Sequence, residues 1–279
     1  MKELGYYNGR IGELSEMTIP MNDRVCWFGD GVYDAQLCRN YHIFGLDEHV
    51  DRFFNSAAML EIDMPVSKQE LKALLCELVC KLDSGDQFVY YQVTRGSGPR
   101  GHAFPEGPAN LWVTLTPKKL DDRQEPIALC SIEDTRYFHC NIKTLNLIPS
   151  VMANERAKRA GCYECVFYRP GGRVTEGSHS NVHIIQNGAF VTAPADELIL
   201  PGIARARLIR ACKRLGIPVY EKPYTLDELR QADEVFTSSS GRLCARASSL
   251  DGAPIGMCRD DLYTALHDAV VGEFYAETE

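Results

Sequence analysis

The stretch Asn110–Glu125, NLWVTLTPKKLDDRQE, changes character at its midpoint. Its first half puts Leu111, Val113 and Leu115 on one face and Trp112 and Thr114 on the other, the two-residue period of a strand. Its second half, Pro117–Glu125, has six charged residues in nine and no apolar period, which is linker composition. The change divides the chain. Residues 1–117 read as a small N-terminal domain, 118–125 as a linker and 126–279 as a larger C-terminal domain.

Outward from this point, both sides mix helices and strands. On the N-terminal side, Gln87–Thr94 (QFVYYQVT) is aromatic and β-branched, as strands are. Ser67 and Glu70 form a capping box ahead of Leu71, Leu74, Leu75, Leu78, Val79 and Leu82, so Ser67–Leu82 is predicted as a helix. Asp47–Leu60 repeats the stripe with Val50, Phe53, Phe54 and Ala57. On the C-terminal side, Val151–Ala160 and Ile203–Leu215 read as helices, the second ending at Gly216. Thr225 and Glu228 make another capping box, Glu234–Ser238 reads as a buried strand, and Leu262 to Phe274 marks a closing amphipathic helix. The many closely spaced strands favour antiparallel pairing, in a two-domain fold of the α+β or α/β kind.

Composition narrows the function. The chain of 279 residues is 45% hydrophobic and 24% charged, an ordinary globular make-up. Its net charge of −8 and lack of long Lys/Arg blocks argue against nucleic acid or anionic membrane surfaces as partners. No apolar run reaches membrane-spanning length, and the opening MKELGYYNGRIGELSE is too polar for a signal peptide. The 11 cysteines, odd in number, read as reduced thiols. A cytoplasmic protein is expected. Cys162 and Cys165 form a C-x-x-C, but no second Cys/His pair stands at metal-site spacing, so no metal is expected and a thiol-based metal or redox protein is a remote reading.

Six polar or Gly-rich segments remain: GDGVYD (29–34), TRGSGPRGHAFP (94–105), NIKTLNL (141–147), TEGSHSN (175–181), LPGIAR (200–205) and TSSSG (237–241). Taken singly, each has an ordinary explanation. The Gly-rich pieces are turn chemistry, Lys143 could snorkel at a surface, and Glu176 could cap a turn.

Taken together, in this order, they are specific. The chain resembles the fold-type-IV, or class IV, pyridoxal-phosphate aminotransferases, closest to the branch acting on D-amino acids. The likeness rests on FGDGVYD, RGxxPRxHxFP at 95–105, IKTLNL, GCYE at 161–164 and VTEGSxSNV at 174–182. It implies a small N-terminal α/β domain, a larger domain around a β-barrel-like core, and a homodimer. It also implies ping-pong transfer of an amino group between a D-amino acid, such as D-alanine or D-glutamate, and a 2-oxo acid. The same-fold alternatives are an L-branched-chain aminotransferase, an aminodeoxychorismate lyase and an (R)-amine transaminase.

The resemblance implies roles residue by residue. Lys143 matches the lysine that holds pyridoxal 5′-phosphate and shuttles the proton, which requires a neutral amine. Glu176 matches the partner of the pyridine nitrogen. Arg52, Ser239 and Ser240 match phosphate contacts, together with the helix opening at Gly202, Ile203 and Ala204, and Leu200 falls in the same cofactor-binding segment. Ala204 departs from the hydroxyl residue common there, which removes a side-chain contact. Tyr33, Arg100 and His102 match the grip on the substrate α-carboxylate, the last two from a loop presented across a dimer interface.

Overall fold

The alternation at residues 110–117 builds one strand of an antiparallel sheet. In the computed structural model, which describes residues 1–279, the chain separates into two units. The first contains β1 (Leu4–Tyr7), β2 (Arg10–Glu13), α1 (Arg24–Phe28), β3 (Gly31–Arg39), β4 (His42–Ile43), α2 (Leu46–Met59), α3 (Lys68–Val79), β5 (Gln87–Thr94) and β6 (Asn110–Pro117). Its six strands run in the order β2-β1-β6-β5-β3-β4, and every neighbouring pair is antiparallel. The N-terminal domain is therefore α+β in character, an antiparallel sheet with α2 and α3 inserted between its neighbouring strands β3 and β5.

One face of this sheet is apolar. Val89, Tyr91 and Val93 of β5 join Leu111, Val113 and Leu115 of β6 in the core with Val50, Phe53 and Ala57 of α2 and Leu71, Leu75 and Leu78 of α3. Phe53 meets Tyr91 edge-on, with centroids 4.9 Å apart. Each such buried side chain contributes about 1.5–3 kcal/mol. The α3 helix begins with the expected capping box at Ser67 and Glu70. Among the apolar residues of its buried side, α2 also carries His49, Arg52 and Ser56. Polar groups are tolerated there only if partnered.

The second unit contains β7 (Ile127–Glu133), α4 (Ile148–Arg159), β8 (Glu164–Tyr168), β9 (Val174–Gly177), β10 (Asn181–Gln186), β11 (Ala189–Thr192), α5 (Ile203–Arg214), β12 (Val219–Glu221), α6 (Leu226–Arg230), β13 (Glu234–Ser238), β14 (Ala245–Leu250), β15 (Ala253–Pro254) and most of α7 (Asp260–Glu277). The sheet is mixed, in the order β12-β11-β10-β13-β14-β7-β8-β9, with β15 paired to β14. Parallel contacts join β7 to β8, β7 to β14 and β11 to β12. Residues 178–180 turn β9 back into β10, with Gly177 N donating to Ser180 O at 2.7 Å. Its core gathers Leu129, Val166, Val174, Ile184, Val191, Val235, Ala245 and Leu250.

The first unit spans Met1–Leu120 but also claims Ile142–Asn146 and Phe274–Glu279. The Lys143 segment leaves its sequence neighbours because it lies along the open edge of β3. Tyr33 N donates to Lys143 O at 3.0 Å and Leu145 N to Gly31 O at 3.1 Å, with an antiparallel bridge between Val32 and Thr144. The chain end joins the first unit because Arg39 and Asn40 both donate to Thr278 O and Phe44 packs on Phe274. Sequence composition carries no trace of such long-range pairing.

Candidate active site

Each unit has one polar centre built on residues singled out in the sequence, while Arg100 and His102 stand apart on a loop. In the first unit, the bond from Tyr33 N to Lys143 O places the two residues side by side. Lys143 Nζ stands 4.4 Å from the centroid of the Tyr33 ring, and that ring stacks on Tyr90 at 5.4 Å. The Lys143 backbone N–H donates to Ser56 Oγ of α2. No carboxylate pairs with this lysine, unlike Lys68, Lys72 and Lys81 of the same unit.

Arg52 is placed by a carboxylate. Its Nε and Nη2 donate to the two oxygens of Asp34 at 2.8 and 2.7 Å, and His49 Nδ1 meets Asp34 Oδ1 at 2.7 Å. Asp34 is fully buried. Burial alone would raise its pKa, but Arg52 and His49 outweigh it and hold the carboxyl well below the usual range. Burial likewise keeps His49 below its ordinary value, so it serves as a neutral Nδ1–H donor. Asp34 lies within GDGVYD, which by itself gives it no role, and His49 belongs to no motif at all.

Arg100 and His102 lie exposed on the β5–β6 loop. Both stand over the ring of Phe28, the guanidinium carbon at 5.5 Å and the imidazole centroid at 5.5 Å. Neither is hydrogen-bonded to Tyr33 or Lys143 of its own chain.

The second centre surrounds Glu176 at the end of β9. Oε1 accepts from Arg136 Nη1 at 2.5 Å, while Oε2 accepts from Leu200 N at 2.9 Å and Asn181 Nδ2 at 3.2 Å. Arg136 is shared. Its Nε and Nη2 form a two-point contact with Asp134, both at 2.9 Å, and its guanidinium lies 4.5 Å from the Phe167 ring centroid. Burial pushes the Glu176 carboxyl up to about 7, and Arg136 and the Leu200 amide only partly oppose it. Asn181 also fixes the entry to α5 by donating to Leu200 O at 3.0 Å. Gly202 is the N-cap of α5 without a side-chain cap, so Ile203 and Ala204 open the helix. A Cβ on Gly202 would fall 2.0 Å from Asn181 Oδ1, so a larger residue would have to displace the Asn181 side chain from its bonds to Glu176 and Leu200. Ser239 and Ser240 follow β13 in a tight turn in which Ser239 N donates to Arg242 O and Arg242 N to Ser239 Oγ. Arg136 and Asp134 are invisible to a sequence reading because DTRYFHC shows no motif, whereas Asn181 is visible at the end of TEGSHSN.

All 11 cysteines are free. Cys162 Sγ donates to Ala160 O, and Cys165 Sγ donates to Ala153 O and approaches Cys130 Sγ at 3.4 Å. No helix is long and apolar enough to cross a membrane.

With this fold and these two centres, the chain belongs to the class IV aminotransferases, whose family model matches residues 31–250. It is an aminotransferase, and enzymes of this class use pyridoxal 5′-phosphate. Among individual relatives, it is 37% identical over 277 residues to the D-alanine aminotransferase of Bacillus licheniformis, covering 96% of this chain and 97% of that one. It is 38% identical over 273 residues to the D-alanine aminotransferase of Listeria innocua, with 95% and 94% covered. Among solved structures, the branched-chain amino acid aminotransferase from Escherichia coli superposes with a TM-score of 0.90 at 23% identity, covering 100% and 96% of the chains, a likeness of fold. The T.th. branched-chain amino acid aminotransferase with pyridoxamine 5′-phosphate gives 0.89 at 26% identity, covering 99% and 94%.

Proposed function

We propose that this enzyme is a D-amino acid aminotransferase, moving the amino group of a D-amino acid such as D-alanine or D-glutamate onto a 2-oxo acid by a ping-pong route. The observation that carries the reading is the near end-to-end similarity to D-alanine aminotransferases, together with the Arg100-x-His102 pair in its loop. Pyridoxal 5′-phosphate is the cofactor, and the residues present fit it. An amine without a carboxylate partner, a buried carboxylate raised to about 7, and a helix opened by a glycine N-cap with no side-chain cap are the groups such a molecule needs.

When bound, the cofactor supplies an electron sink for the charge left on the substrate Cα. Lys143 holds it covalently and moves the proton at Cα, its amine being engaged by no carboxylate. Glu176 accepts the ring N–H, with Leu200 N fixing Oε2. Arg52, Ser239, Ser240 and the amides of Ile203 and Ala204 take the phosphate, Ala204 through its backbone alone. Tyr33 contacts the substrate, and Arg100 and His102 grip the carboxylate from a partner protomer. Their lack of any bond to Tyr33 within the chain supports that route. A homodimer is also supported by α4, where Ile148, Val151 and Met152, spaced to share one face, are 72%, 57% and 53% exposed. We place the enzyme in the cytoplasm.

The test is direct. Purified protein is incubated with 2-oxoglutarate and either D- or L-alanine, and pyruvate is measured. Pyruvate from D-alanine alone is expected. Equal or faster production from L-alanine, or activity only with L-leucine or L-valine, sinks the D assignment. Borohydride reduction and peptide mapping should label Lys143, and a label on any other lysine refutes its role.

A further inference from the structure

The loop that carries Arg100 and His102 is long and rich in glycine and proline. Residues 95–109 join β5 to β6, against roughly two to five residues in most hairpins. Gly96, Gly98, Gly101 and Gly107 leave its backbone many conformations, and residues 100–104 are exposed. Within the loop Arg95 lies over the Phe104 ring at 3.6 Å, but no bond inside it holds Arg100 or His102. The anchors come from elsewhere.

The sequence Asp23–Gly31, DRVCWFGDG, makes them. Asp23 caps α1 through Oδ1, which accepts from Val25 N at 2.8 Å, while its Oδ2 accepts from Thr94 and Asn110 at the two ends of the loop. Gly29, at φ 61°, closes the helix after a single turn. Arg24 and Phe28 are four residues apart and share a face, the guanidinium 4.9 Å from the ring centroid. Arg24 is only 4% exposed. Its Nη1 donates to Gly101 O at 2.7 Å and Ala103 O at 3.2 Å, the two carbonyls that bracket His102. Its Nε donates to Asp30 at 2.6 Å. Asp30 is braced in turn by Arg95, whose other nitrogens donate to Leu60 O and Glu61 O. Phe28, packed against Arg24, lies beneath both Arg100 and His102.

We propose that Arg24, braced by Asp30, is a positioning residue that sets the Arg100–His102 loop before a carboxylate arrives; this rests on the reading of those two residues as the carboxylate grip. A buried arginine is costly unless its donors are used. Here Nη1 is spent on the backbone of the exposed loop and Nε on Asp30. Charge-assisted bonds to two carbonyls fix the turn around His102, so the ordering is complete before binding rather than subtracted from it.

The test uses the holoenzyme of Arg24→Met and Arg24→Lys, with Arg100→Ala as the control. Hydrogen exchange in peptides covering residues 98–106 should quicken in both Arg24 variants. KM for D-alanine should rise about tenfold to a hundredfold with kcat within about threefold, because a misplaced grip weakens binding more than the later chemistry. Cofactor affinity and thermal midpoint should hold in Arg24→Lys, which keeps the charge if Arg24→Met folds poorly. Unchanged exchange overturns the proposal, as does faster exchange with an unchanged KM. Parallel loss of kcat and cofactor would mark a general structural role and also overturn it. If Arg100→Ala itself leaves KM unaltered, the carboxylate reading fails; if only the Arg24 variants leave it unaltered, the positioning role fails alone.

Discussion

Asp34 in the first unit and Glu176 in the second are both buried carboxylates bound by arginine, yet they are driven in opposite directions. Asp34 takes two nitrogens of Arg52 in a two-point contact and receives His49 and the Ala35 amide besides. Its carboxyl is held far down. Glu176 receives one nitrogen of Arg136, whose two-point contact goes to Asp134. Its carboxyl rises to about 7. Burial raises both, so the number of donors each carboxylate collects decides the sign. Asp34 is built as a permanent anion that fixes Arg52. Glu176 is built to respond to what binds it.

The largest expected effect follows from that anion. Asp34→Asn leaves Arg52 buried without its counter-charge, which should cost about 3–5 kcal/mol, or on the order of 10 °C in thermal midpoint. Glu176→Gln should cost less than about 1 kcal/mol, because Arg136 keeps Asp134 and the amide still offers an oxygen. Thermal melts of both cofactor-free variants measure the contrast. Equal losses would break the comparison.

The next effect is on turnover. Glu176→Ala should lower kcat by about 10²–10³, the usual scale for removing one electrostatic partner of a developing charge, while cofactor still binds through the phosphate contacts. Asp134→Asn should lower kcat far less. Unchanged turnover in Glu176→Ala would remove its ring-nitrogen role, and loss of cofactor content alone would make it merely structural.

These centres are unequally legible in the sequence. Helix stripes, capping boxes and strand alternation are local, and α2, α3, α5, α6 and β6 stand where periodicity and caps place them, within a few residues at their ends. Lys143 and Glu176 are visible because each sits in a run of several matching residues. Arg136 and Arg24 are not, because each acts through contacts made only after folding. Arg24 reaches Gly101, 77 positions away, and Arg136 reaches Glu176, 40 away. The Lys143 segment joins the first unit for the same reason, since the open edge of β3 captures it. A pattern read along the chain cannot show which arginine a distant carboxylate will share.

The smallest effect is the response of stability to pH, where the two centres should pull apart. The folded pKa of Glu176, about 7, lies above its ordinary value of 4.5. Between those limits the native state therefore binds more protons than the unfolded chain, so stability falls as pH rises from about 5 to 7. Asp34 does the reverse in a lower window. Its folded pKa lies below 3.8, so its contribution is intact above about 4 and is lost on further acidification. The charged groups facing Glu176 are Arg136, which lowers its pKa, and Asp134, which raises it. Glu176→Gln should thus flatten the fall between pH 5 and 7 by about 4–8 °C, the shift expected for about 2 kcal/mol. Asp134→Asn should flatten it in part, by turning Arg136 over to Glu176. Melting the cofactor-free proteins across pH 4–8 gives the slopes. A wild-type slope matching that of Glu176→Gln would mean that Glu176 is as firmly ionised as Asp34, and the contrast between the centres would be gone.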